Sequence, residues 1–173
     1  VEVIDTQVGK LVEKLKEMGW FENALIIIVS DHGMNERPIG VDVITSLKKA
    51  GHKDIVDNMI YFSSGATGGL YLYDTSPSMV GKTIDALNEI DNVKEAWYKH
   101  DLKAPWYVRR FAHERAPDIL ILPDLNSVII EEGYGDPKVP VNHGPPYPPD
   151  VNIWLIFSGQ GVKRLGTVSY THL

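Results

Sequence analysis

Ala24-Leu25-Ile26-Ile27-Ile28-Val29, running without a break into Ser30-Asp31-His32-Gly33-Met34, is the stretch on which the fold turns. An unbroken apolar run rich in β-branched side chains predicts a strand covered on both faces, as in a parallel sheet layered between helices. In open α/β sheets, binding groups gather at the carboxyl ends of the strands, so the run delivers Asp31 and His32 to an edge where a charged site is built. A carboxylate and an imidazole side by side are natural ligands for a divalent ion such as Zn²⁺.

Upstream, Ile4, Val8, Leu11, Val12, Leu15 and Met18 recur at spacings of three and four among Lys and Glu. That period predicts an amphipathic helix over 2–18, closed by Gly19. Helix, short turn at Trp20 to Asn23 and apolar strand together make an α/β unit. Downstream, the pattern predicts a helix from Val41 to Ala50 stopped by Gly51 and a strand around Tyr71-Leu72-Tyr73. It then predicts a helix from Pro77 to Ile90, strands at Val93 to Tyr98 and Asp118 to Leu122, and Val128 to Ile130 as hairpin partner of the latter. Gly65, Gly68 and Gly69 lack the Lys of a phosphate loop and read as turn glycines. The proline-rich loop from Pro137 to Pro149 carries Asn142-His143-Gly144; its fixed backbone angles suit a rigid segment presenting a side chain. Val151 to Phe157 predicts another buried strand, turned by Ser158 to Gly161.

With 173 residues, 43% hydrophobic and 23% charged, the chain has enough material for one domain with a core, and not for two comfortable ones. A net charge of -6 without any Lys/Arg block argues against general nucleic-acid binding, whose affinity comes from neutralising phosphates. Cys is absent, which removes thiolate metal sites and a Cys nucleophile. No stretch approaches the roughly eighteen consecutive apolar residues of a membrane helix, so no membrane segment is expected in this chain. Opening at Val1 directly on a helix, with no leader pattern, the sequence reads as a piece of a longer protein, and Val168 to Leu173 as a tail foreign to the domain or simply frayed.

A hard oxygen anion and two imidazoles, from Asp31, His32 and His143, fit zinc, manganese or iron better than calcium. By residue type alone, an Asp-His pair at a strand end serves equally as a cap or a hydrogen-bonded pair, and a loop His as a partner for a carbonyl. His52 reads as a helix-end cation, and His100 and His113 as aromatic packing or substrate-loop residues among Trp97, Tyr98, Trp106 and Tyr107. Arg109 and Arg110 read as solvated charge before a phosphate clamp. Asp118 and Asp124 read as strand-end caps, and Asp150 as either a partner of a metal ligand or a turn residue. Ser30, Thr6 and Thr67 read as local hydrogen bonders, not nucleophiles.

The opening helix, Leu25 to Met34, His143-Gly144-Pro145, Ile153 to Lys163 and, more softly, Arg115 to Asp118 resemble in order and spacing the type I phosphodiesterase / nucleotide pyrophosphatase branch of the alkaline phosphatase superfamily. The resemblance implies an α/β fold, part of an alkaline-phosphatase-like α/β/α sandwich with a mostly parallel sheet flanked by helices. Residues 1–167 would be the C-terminal portion of one catalytic domain, with 168–173 a tail. It implies a metal-dependent hydrolase that cleaves phosphodiester or pyrophosphate bonds through a covalent phospho-enzyme, acting on a small-molecule phosphoester such as a nucleotide. Two divalent ions are implied, zinc first, with manganese or iron as alternatives. Asp31 and His32 would hold the ion that activates the nucleophile, and His143 its partner. The resemblance puts the Thr or Ser nucleophile and the remaining ligands upstream of these residues, so this chain alone is expected to bind metal poorly and to be inactive. A sulfatase-like or phosphonate-ester hydrolase, or a catalytically inactive binding domain, are the alternatives.

Overall fold

The computed structural model describes residues 2–137, 140–163 and 166. In chain order the elements are α1 (Glu2–Glu17), β1 (Leu25–Val29), β2 (Asn35–Glu36), β3 (Ile39–Asp42), α2 (Val43–Lys49), α3 (Lys53–Asp57), β4 (Met59–Ser64) and β5 (Thr67–Leu72). There follow α4 (Pro77–Asn88), β6 (Val93–Tyr98), α5 (Trp106–Arg110), β7 (Ile119–Pro123), β8 (Ser127–Ile130), β9 (Val141–Asn142), α6 (Pro148–Val151) and β10 (Leu155–Gly159). Two compact units result, one holding α1, β1 and β10 and the other running from His32 to Asn152. The tail expected at 168–173 lies outside the described residues.

In the first unit, α1 follows the predicted period and ends where Gly19 takes φ +68°. Its N–H donates to the Lys16 carbonyl and that of Trp20 to the Leu15 carbonyl, each at 3.0 Å, so the last turn is satisfied by a left-handed cap. Leu25 to Val29 does form a strand, but its direction of pairing and its burial differ from expectation. β1 pairs antiparallel with β10, Leu25 opposite Gly159 and Val29 opposite Leu155, and all of the strand but the half-buried Ile26 is exposed. Apolar, β-branched composition favours a strand that can be covered; it does not encode which way the neighbour runs, nor supply what covers it. The strand expected at Val151 to Phe157 begins later for a local reason. Pro148 and Pro149 open a helical turn through Val151, and β10 starts at Leu155 and runs on to Gly159.

The second unit holds the core. A four-stranded antiparallel sheet, in the order β4-β5-β7-β6, buries Leu70, Ile119 and Ile121 against Leu47 of α2, Ile55 of α3 and Leu87 of α4. Each such aliphatic side chain removed from water contributes about 1.5–3 kcal/mol before entropy is counted. Among the described residues the one parallel ladder joins β3 to β8, Ile39 opposite Ser127 and Asp42 opposite Ile130. The α/β class is as expected; a mostly parallel arrangement is not what the described strands show. Val128 to Ile130 is likewise no hairpin partner of β7. Ser127 follows a tight turn whose N–H bonds back to the Asp124 carbonyl at 2.9 Å, and the strand leaves the β7 plane to lie along β3.

Of the three glycines read as turn residues, only Gly65 sits in the β4-β5 turn, with φ +58°. Gly68 lies inside β5, where a Cβ would come within 2.6 Å of Ile129 Cγ2, so the missing side chain is what lets β8 pack across the sheet.

Asp42 ends β3 and caps α2. Its Oδ1 accepts from the Thr45 N–H at 2.9 Å, while Oδ2 accepts from the Thr45 hydroxyl at 2.8 Å and the Gly133 N–H at 2.7 Å. Burial works to raise its pKa, but these donors, with the charge of Lys48, outweigh it and hold the carboxyl below the usual carboxylate range. A depressed folded-state pKa adds stability above the unfolded value and loses it as pH falls through the folded one. Asp42→Ala is therefore expected to cost about 1–2 kcal/mol in urea melts at neutral pH, a typical cap loss. The advantage of wild type over Asp42→Asn should hold above about pH 5 and close below about pH 4.

Candidate functional site

Two turns far apart in sequence are brought together by one short ladder. β2 begins three residues after His32 and β9 ends one before His143; their antiparallel pairing sets Asn35 opposite Asn142 and Glu36 opposite Val141. The pairing continues through the Arg37 N–H, which donates to the Pro140 carbonyl at 2.7 Å. Carried outward along this register, the two chains bring both histidines to the same end. Their rings stack, with centroids 3.5 Å apart and planes 12° from parallel.

Each histidine is also held from its own side. His143 accepts a 2.7 Å bond at its backbone carbonyl from the Ala66 N–H, and its own N–H donates to Asn142 Oδ1 at 2.8 Å. Gly65 makes room for this contact, since a Cβ there would stand 2.5 Å from the His143 carbonyl oxygen. His32 Nδ1 lies 2.7 Å from the Gly33 carbonyl oxygen. A carbonyl only accepts, so Nδ1 carries the proton, and in the neutral ring the lone pair is on Nε2. An imidazole whose outer nitrogen is committed to a carbonyl is the tautomer that metal-ligating histidines use.

Behind the two turns is a buried ion pair, of which sequence reasoning named Asp150 and missed Arg37. Arg37 is 0% exposed, and its Nη2 donates to Asp150 Oδ2 at 2.6 Å. Nη1 donates to the Leu125 and Ser127 carbonyls at 2.6 and 3.2 Å. Asp150 also accepts the Gly144 N–H on Oδ1 at 3.1 Å and the Gly33 N–H on its backbone carbonyl at 2.7 Å. Tyr147 flanks the pair, its ring 5.9 Å from the guanidinium carbon and its hydroxyl donating to the Pro123 carbonyl at 2.6 Å. Burial, with the charges of Glu95 and Asp124, pushes the Tyr147 phenol up to about 12, so it stays a neutral donor. The only advance signal for Arg37 was its place five residues beyond His32, which does not separate it from a surface cation.

The donor chemistry of His32 and His143 fits a transition-metal ion, but they are two ligands. Among the described residues no group of three or more His, Cys, Asp or Glu is arranged to hold a metal ion. Asp31, adjoining His32 in sequence, belongs to the first unit.

Several other residues named from the sequence make local contacts. Thr6 donates to the Glu2 carbonyl and Thr67 to that of Ser64. His100 meets the Tyr98 ring edge-on, and His113 Nδ1 accepts the Arg115 N–H at 3.1 Å. Arg110 lies over the Trp106 ring. Asp118 accepts the Leu72 N–H and pairs with Lys99, tying β5 to the end of β6.

The chain belongs to the type I phosphodiesterase / nucleotide pyrophosphatase family, whose sequence profile matches residues 1–146. A relative from Schizosaccharomyces pombe, an uncharacterized pyrophosphatase/phosphodiesterase, is 25% identical over 129 residues, spanning 72% of this chain and 25% of that protein. In structure, human ectonucleotide pyrophosphatase / phosphodiesterase 5 is similar at a TM-score of 0.70 and 19% identity, over 91% of this chain and 39% of its own. Its murine counterpart matches at 0.70 and 18%, over 90% and 39%, and the same murine protein has been solved as an inactive variant in complex with AMP. The chain thus spans well under half the length of these proteins, and the likeness establishes a mixed α/β fold of the alkaline-phosphatase-like kind.

Proposed function

We propose that residues 1–167 are the C-terminal portion of one catalytic domain of a metal-dependent hydrolase that cleaves phosphodiester or pyrophosphate bonds. The observation that carries this reading is the stacked pair His32 and His143, drawn together from remote turns with the His32 tautomer fixed by the Gly33 carbonyl. Asp31 and His32 would hold one divalent ion and His143 a second, zinc being the first choice and manganese or iron the alternatives. Bound there, the ions would lower the pKa of an attacking hydroxyl and offset charge on the phosphoryl oxygens. This chain's own contribution is to fix imidazole orientation and ligand spacing; the nucleophile, a Thr or Ser forming a covalent phospho-enzyme, is assigned to residues outside this chain. The AMP complex of the murine neighbour favours a nucleotide phosphoester as substrate.

Chelation tests the reading directly. Incubating the complete domain with EDTA is expected to reduce hydrolysis of bis(4-nitrophenyl) phosphate to background, with recovery on adding Zn²⁺, and the 173-residue chain alone is expected to give none. Full turnover in a metal-stripped sample would overturn it.

A further inference from the structure

Asp150 is bonded to the residue that follows each histidine. Its backbone carbonyl takes the Gly33 N–H and its Oδ1 the Gly144 N–H, so one residue spans both turns. Its other oxygen is gripped by Arg37, with the two side chains 0% and 2% exposed. Arg37 is itself fixed at several points, by the Leu125 and Ser127 carbonyls through Nη1 and by Pro140 through its backbone N–H. We propose that the Arg37–Asp150 ion pair is the positioning device that sets the imidazoles of His32 and His143 face to face.

Stability alone does not account for the pair. A buried ion pair gives little net stabilisation over apolar side chains of the same volume, because desolvation offsets the attraction. Here the arrangement leaves Arg37 Nε buried without a hydrogen-bond partner, a further cost. What the pair supplies, and an apolar pair could not, is direction. The guanidinium holds one carboxylate oxygen through Nη2 while Nη1 anchors it to backbone carbonyls, so the remaining oxygen is offered at one angle, and the Gly144 N–H follows it. The same residue's carbonyl fixes Gly33, whose own carbonyl sets the His32 ring. Arg37 and Asp150 thus act through the backbone of the turns.

The inference concerns ring placement; its consequence for metal affinity rests on the proposed function. Ring placement is read on the 173-residue chain with ¹⁵N-labelled histidine, and metal affinity on the complete domain. The double variant Arg37→Met/Asp150→Asn removes both charges together, leaving no buried ion uncompensated. With far-ultraviolet circular dichroism and a cooperative melt showing retained fold, it is expected to lose the ring-to-ring nuclear Overhauser contacts between His32 and His143. Calorimetric titration with Zn²⁺ should then show affinity weakened by about 10- to 100-fold, the usual effect of losing a group that orients ligands. Arg37→Lys keeps the charge while losing the planar fork, and is expected to shift the imidazole ¹⁵N signals part of the way; it decides the matter if the double variant does not fold. Unchanged imidazole signals in whichever of the two folds overturn the proposal. Lost ring contacts with unchanged Zn²⁺ binding would uphold it and count against the metal reading instead.

Discussion

In the complete domain, His143→Ala and Asp31→Asn are each expected to lower kcat for a nitrophenyl phosphodiester by about 10³-fold or more, because stabilisation of developing charge is usually the largest single catalytic term. Asp31→Asn changes no shape. It replaces an anionic oxygen donor by a neutral one, and a divalent ion held by fewer charges both binds more weakly and polarises less. His143→Ala deletes a nitrogen donor together with the ring that stacks on His32. Loss should therefore appear both in kcat at saturating metal and in the metal dependence, for each of the two variants. His113→Ala is the matched control, since that exposed ring only accepts a bond from the Arg115 backbone. Near-normal turnover by both test variants would remove the two-ion reading, whatever the fold.

Elements whose ends are written in their own residues were legible. The Gly19 cap of α1, Pro77 in the first turn of α4 and the period between them are local signals, and each helix falls where they put it. β4 was readable in principle, since Met59 to Phe62 is an apolar and aromatic run followed, after Ser63 and Ser64, by the turn glycine Gly65. Partnership was not legible. Nothing in Leu25 to Val29 says that its neighbour is Leu155 to Gly159 running the other way, and nothing in Ser127 to Ile130 says that it leaves β7 for β3. Side-chain pattern reports burial and period, whereas register and direction are settled by residues far along the chain. The site divides along the same line. His32 and His143 stood out because their turns carry a recognisable pattern, while Arg37 and Asp150 matter only through what surrounds them. Arg37 became informative once its side chain was seen buried between two backbone segments.

Gly33→Ala is expected to destabilise the His32–Asn152 unit by about 3 kcal/mol, near the top of the usual range for forcing an atom into filled space. A Cβ at Gly33 would collide with the Pro149 carbonyl oxygen and stand 2.9 Å from the Pro149 carbonyl carbon and 3.3 Å from that of Asp150. These are backbone atoms of α6, held at one end by two prolines, and they do not swing aside as a side-chain tip would. Relief requires the turns to separate, which breaks the Gly33 N–H bond to the Asp150 carbonyl and frees the residue that also holds Gly144. Gly81→Ala supplies the contrast: in the middle of α4, with nothing within 4 Å of an added Cβ, it should stabilise by about 0.5–1 kcal/mol through helix propensity. Urea melts of the two variants should therefore move in opposite directions. Only Gly33→Ala should also disturb the imidazole signals of His32 and His143 under conditions where the chain remains folded. If both substitutions shift the midpoint alike, the close approach of α6 to the His32 turn is not the contact that holds this site together.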